Sequence, residues 1–174
     1  MKEGNSFWCE EGTEDMIAND LTLLDDGNRP VNYSNQSARD FSNSYTELKR
    51  LSANVDHLYA DGSVPNDGLI YNSKNERVLG VTDRIRVGWF KKTNDVTLSA
   101  RAFENRTKLY STMHHEYMHA YFYAKGIPFS DITEHKIINK WTFDQSKAWN
   151  VKVNYDRNLI RGHDTYKYSQ YGLK

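Results

Sequence analysis

Two histidines and a glutamate lie within five residues of one another at His115-Glu116-Tyr117-Met118-His119. Histidines four apart on a helix project from the same face, within reach of one metal ion. A glutamate beside the first can take the proton of a water that the metal activates. The chemistry such residues carry is metal-assisted hydrolysis of an amide bond. On ligand type the ion is Zn²⁺, with His115 and His119 as ligands and Glu116 as general base.

A working site needs the five residues on a helix, apolar surroundings and a third ligand further on. No Gly or Pro falls between Leu109 and Lys125, and Gly126 followed by Pro128 gives a stop. Ser111 or Thr112 offers a cap, and a start near Arg106 fits equally well. At about 100° per residue, Met118 and Phe122 share the histidine face. Leu109, Met113, Tyr117, Ala120 and Ala124 make a second apolar face roughly opposite. A helix apolar on both sides is expected to be buried.

Two arrangements of the third ligand are excluded. A glycine and a histidine three and six residues after the motif would fall on Phe122 and Lys125, so the metzincin pattern is absent. Lys125 likewise excludes the three-histidine spacing of a family of metal-dependent RNA endonucleases. The downstream segment from Ser130 to Trp149 reads as a supporting helix, with Asp131 and Glu134 spaced as a capping box. Glu134 also lies in the middle of the stripe formed by Ile137, Ile138, Trp141, Ala148 and Trp149. A buried carboxylate is costly unless paired or bound to metal. Glu134 is therefore the first candidate for third ligand, His135 the second and Asp164 the third. Asp144 is a weaker candidate to orient a ligand histidine, and His114, about 100° from His115 on the helix, is expected to support the ligands or lie at the surface rather than bind the metal.

A helix bearing H-E-x-x-H, followed by a helix bearing a glutamate, resembles the gluzincin branch of the zinc metallopeptidases. The stretch Val96-Thr-Leu-Ser-Ala-Arg-Ala-Phe-Glu104 resembles the edge strand that precedes the active helix in zincins and binds an extended peptide. The resemblance spans residues 83–149. It implies peptide-bond hydrolysis, a protein or peptide substrate, and a tail tyrosine or histidine (Tyr166 or His163) that helps stabilise the oxyanion. The chain starts in polar sequence, which suggests a domain of a larger protein. In that respect it resembles metallopeptidase toxin modules at the C-termini of secreted bacterial proteins, which implies a cognate inhibitor or immunity protein as a partner. The alternatives are a zinc-stabilised binding domain without catalysis, and a metal-free interaction domain carrying the motif by accident.

At 174 residues the chain is expected to form one monomeric domain, with residues 1–36 as a peripheral extension. Lys plus Arg and Asp plus Glu number 23 each, a balance that speaks against nucleic acid or an acidic membrane as partner. Aromatic residues make up 13%, 12 of them Tyr, and take over burial from scarce aliphatics. The single Cys9 excludes an internal disulfide. No signal-peptide pattern marks Met1, and the compartment stays open.

The elements expected to position the site begin with a helix from Thr13 to Asp26, whose apolar face includes Leu21 and Leu24. A polar link runs from Asn28 to Gln36, and a second helix runs from Ser37 to Leu51. His57 beyond it is expected to be structural. From Gly68 the period shortens to two. A hairpin forms from Leu69–Asn72 and Arg77–Val81, and further strands form from Ile85–Phe90 and Val96–Ala100, with a turn at Thr93–Asp95. Val151 to Tyr155 is strand-like or irregular. The expected class is α+β, a minimal zincin lobe with N-terminal helices, a small mostly antiparallel sheet, the active helix and a supporting helix.

Overall fold

The structure is a computed structural model that describes residues 6–10, 21–23, 27–61, 64–71, 75–126, 138 and 151–153. For 6–10, 21–23 and 151–153 the backbone alone is described. Ser34 caps helix α1 (Asn35–Ser44) by accepting from the Ser37 amide at 3.1 Å. Phe41 and Ala38 bury its inner face. The chain turns extended at Tyr45 (φ −117°, ψ 125°), so the single helix expected over 37–51 is two, the second being α2 (Thr46–Ser52). Tyr45 justifies the break: its ring meets Tyr110 edge-on at 5.1 Å, and its hydroxyl accepts from Arg106 at 2.9 Å.

Strand β1 (Ser6–Glu10), β3 (His57–Tyr59), β4 (Ile70–Tyr71), β5 (Arg77–Val87) and β6 (Lys91–Leu98) form one sheet in the order β1-β5-β6-β3, with β4 also on β5. β1, β4 and β6 pair antiparallel with β5, and β3 pairs parallel with β6. Strands β2 (Leu21–Leu23) and β7 (Val151–Val153) make a separate antiparallel pair. β7 agrees with the strand expected from Val151. Leu21–Leu23 is strand, not part of the helix expected from Thr13 to Asp26: pairing of Thr22 with Lys152 outweighs the helical preference of the leucines. The rest of that expected helix, residues 13–20 and 24–26, lies outside the described residues.

Two strands expected at Arg77–Val81 and Ile85–Phe90 are one, β5, and the turn lies at Gly88–Phe90 rather than Thr93–Asp95. Gly88 takes φ +68°, which glycine adopts without penalty. Asn94 and Asp95 sit within β6. Asn94 donates from Nδ2 to the carbonyls of Asn54 (3.1 Å) and Ala120 (3.2 Å), and Asp95 pairs with His57 at 2.9 Å. His57 thus ties β3 to β6, which fits the structural role expected of it.

A 3₁₀ turn (Ala100–Glu104) leads into the long helix α3 (Arg106–Lys125). Its cap is Asn105, whose side chain accepts from the Lys108 amide at 2.7 Å. Ser111 and Thr112 lie inside the helix and donate back to the Lys108 carbonyl. Gly126, at φ +66°, ends it. α3 lies on β5 and β6 and beneath α2, and Leu109, Tyr110, Met113, Tyr117, Met118 and Phe122 are all buried. Ala124, expected on the apolar face, is exposed. Helices, mixed sheet and long helix make an α+β fold. Of the supporting helix expected over 130–149, Ile138 alone is described, helical and buried in the same core.

The stretch expected as an edge strand is not one. β6 runs between β5 and β3, and β3 covers Asp95–Thr97. An extended peptide cannot add to β6 there, because the hydrogen-bonding groups face a strand already in place.

Candidate metal centre

Two residues of α3, His115 and His119, converge as their spacing requires. The Nε2 atoms of His115 and His119 lie 3.0 Å apart, with the rings inclined at 73°. The relative exposure of His115, Glu116 and His119 is 2%, 0% and 0%. Two nitrogens held at about 2.0–2.1 Å from one zinc at a tetrahedral angle would lie about 3.3 Å apart. A neutral N–H···N hydrogen bond would also fit 3.0 Å. In both cases at least one imidazole is neutral, the form that binds metal. The donor type, convergence and burial fit a zinc ion on this pair.

Glu116 points about 100° round the helix from His115, toward the sheet. Thr82 of β5 donates its hydroxyl to Glu116 Oε2 at 2.5 Å; the Thr82 Oγ1 atom also lies 3.0 Å from the Glu116 main-chain carbonyl oxygen. One hydroxyl has one proton, and the shorter, charge-assisted contact takes it. Beside Thr82, Gly80 leaves room for the helix. A Cβ there would sit 2.8 Å from Glu116 Cγ and 3.0 Å from Thr112 Cγ2. Thr82 and Gly80 were not singled out from the sequence. The signal was a glycine inside a strand, which marks a close approach.

His114 lies about 100° round the helix from His115, its ring stacked on Tyr110 at 6.2 Å. Burial pushes its pKa down to about 4, only partly offset by Glu47. It packs in the interior at 2% exposure, so it is not the surface residue that its position allowed. Glu47 is 8% exposed and forms a two-contact ion pair with Arg50 at 2.6 and 3.1 Å. A groove of about 400 Å³ between α1 and β3 has Tyr117 in its wall. Tyr117 is about 200° round the helix from His115, so this groove does not serve the histidine pair.

Burial drives the Tyr110 phenol well above its ordinary pKa of 10, with Glu47 and Tyr45 adding to the effect. The unfolded chain gives up this proton near pH 10 and the folded chain holds it. The unfolded state then binds fewer protons, and stability falls as pH rises above 10. Tyr110→Phe is expected to shallow that alkaline loss, read as the urea midpoint against pH. Equal slopes would show that the phenol does not oppose ionisation.

Glu134, His135, Asp144, His163, Asp164 and Tyr166 lie outside the described residues. Among the described residues no cluster of three His, Cys, Asp or Glu is present. The structure therefore brings together His115 and His119 and fixes Glu116 beside Thr82. Compared with protein-family models, curated proteins and solved structures, the chain matches none of them.

Proposed function

We propose that the chain is a gluzincin-like zinc metallopeptidase that hydrolyses peptide bonds. The observation that carries this reading is the 3.0 Å approach of two buried imidazole nitrogens, with Glu116 next to one of them in sequence. His115 and His119 would hold the ion, with Glu134 as third protein ligand. Bound there, zinc supplies Lewis acidity, polarising a carbonyl and lowering the pKa of water toward about 7. Glu116 takes the proton of the attacking water and hands it to the leaving amine. Thr82 holds the Glu116 carboxylate in one orientation, so the base does not have to be ordered during the reaction.

The same burial favours a second reading, a zinc-stabilised binding domain without turnover. Structural zinc sites are closed, whereas catalytic ones keep an open position. Elemental analysis of the chain purified without chelator tests the metal. About one zinc per chain is expected, lost in His119→Ala and weakened in Glu134→Ala. Zinc content indifferent to His119 would sink both readings. A digest of a broad peptide library separates them, since only the peptidase cleaves.

A further inference from the structure

The zero net charge of the chain conceals a local concentration. From Arg84 to Lys92 the sequence Arg-Ile-Arg-Val-Gly-Trp-Phe-Lys-Lys holds four cations and no carboxylate. It forms the tip of the β5–β6 hairpin, where residues 86–92 are all exposed. Trp89 is 84% exposed, Phe90 98% and Val87 50%. Large aromatic side chains so exposed on a protruding turn mark a contact surface. The pairing is also unusual: Arg86 lies directly opposite Lys92. Like charges facing each other across an antiparallel pair destabilise it.

Beneath the tip lies a cavity of about 510 Å³ whose walls include Arg84, Phe90, Lys92, Asn54, Asn94 and Asp56. Arg84 Nε is buried there without a hydrogen-bond partner, and its guanidinium lies 5.6 Å from the Tyr123 ring centre. Arg86 donates to the Trp89 carbonyl at 3.2 Å, which braces the turn. No helix among the described residues is long and apolar enough to cross a membrane. A hairpin tip can nonetheless lodge at the surface of one.

We propose that this hairpin docks the protein on an anionic phospholipid bilayer. Trp89 and Phe90 enter the interfacial layer, where aromatic side chains with adjoining polar groups reside. Arg84, Arg86, Lys91 and Lys92 meet the lipid phosphates, and the cavity between Arg84 and Lys92 receives a headgroup. Among the described residues Asp56 is the one carboxylate lining that cavity, and its Oδ2 accepts from the Asn94 amide at 2.8 Å. Each cation near an anionic leaflet strengthens binding about five-fold. Two aromatics add an apolar contribution that salt does not screen.

The test uses the full chain with vesicles of phosphatidylcholine alone or mixed with phosphatidylglycerol. The chain is expected to sediment with the anionic vesicles about ten-fold more strongly or better, and less so as salt rises. The double variants Trp89→Ser/Phe90→Ser and Lys91→Gln/Lys92→Gln are each expected to weaken binding about ten-fold or more. Neither double variant should lower the thermal midpoint, because the residues are exposed and Lys92→Gln relieves the repulsion from Arg86. Brominated acyl chains should quench part of the tryptophan fluorescence, and Trp89→Phe should remove that quenching. No vesicle binding, equal binding to neutral vesicles, or binding unmoved by both double variants would overturn the proposal. The last result would leave the hairpin as a contact for a protein partner.

Discussion

Glu116→Gln is expected to cut peptide cleavage by about 10²- to 10⁴-fold while leaving the zinc content unchanged. Gln has the size of Glu, and its amide oxygen can still accept the Thr82 hydroxyl that now reaches Oε2 at 2.5 Å. The fold should therefore hold, and the change reduces to the loss of a group that accepts a proton. Glu116→Ala is a poorer test. It removes a fully buried side chain and leaves a cavity against β5, so folding and chemistry would change together. Turnover of a library-derived peptide, beside zinc content and thermal midpoint, gives the three readouts. Full cleavage by Glu116→Gln would remove Glu116 from the chemistry, whatever the metal does. Thr82→Val is the informative companion. It leaves the carboxylate present but unheld, and a lower kcat with unchanged zinc would identify Thr82 as a positioning residue.

The active helix was legible because its information is local. Five residues specify the candidate ligands and base, and Gly126 marks the end at the αL position it occupies. Its start was less legible. Ser111, Thr112 and Asn105 are all cap formers, and only the hydrogen bond from the Lys108 amide to Asn105 chooses among them. The sheet was legible as a sheet but not in its order. The partner that encloses β6 is the three-residue strand His57–Tyr59, which has no periodicity of its own and pairs with residues 38 positions away. The turn was misplaced for a related reason. Asn94 and Asp95 are turn formers by local preference, but their polar groups are used by Ala120, Asp56 and His57. Gly88, with its positive φ, makes the turn instead. The hairpin tip illustrates a further limit. Residues 85–90 carry the composition of a strand, and a charge total over the whole chain averages away four cations around two aromatics.

Gly80→Ala is expected to destabilise the protein by about 1–2 kcal/mol and to lower cleavage. Two effects compete. Alanine restricts the unfolded chain, which alone would stabilise by about 0.4–1 kcal/mol, and Gly80 has no positive φ to forbid it. Against this stands contact: the new methyl would lie 2.8 Å from Glu116 Cγ and 3.1 Å from its Oε1. Those atoms are not the loose end of a surface chain. They belong to a side chain with no exposure, pinned by Thr82 at one end and by the buried helix α3 at the other. Overpacking of this kind costs about 1–3 kcal/mol, so the clash outweighs the entropic gain. At this chain length the loss corresponds to a fall of about 2–8 °C in Tm. Relief has two routes: α3 lifts from β5, or Glu116 swings away from Thr82. Both displace the base from its fixed orientation, so kcat should fall more than stability alone explains. Thr112→Ser removes the Cγ2 atom 3.0 Å from the same methyl and should restore part of the loss in the double variant. A Gly80→Ala protein as stable as the parent, and as active, would mean that helix and strand are not pressed together at Glu116.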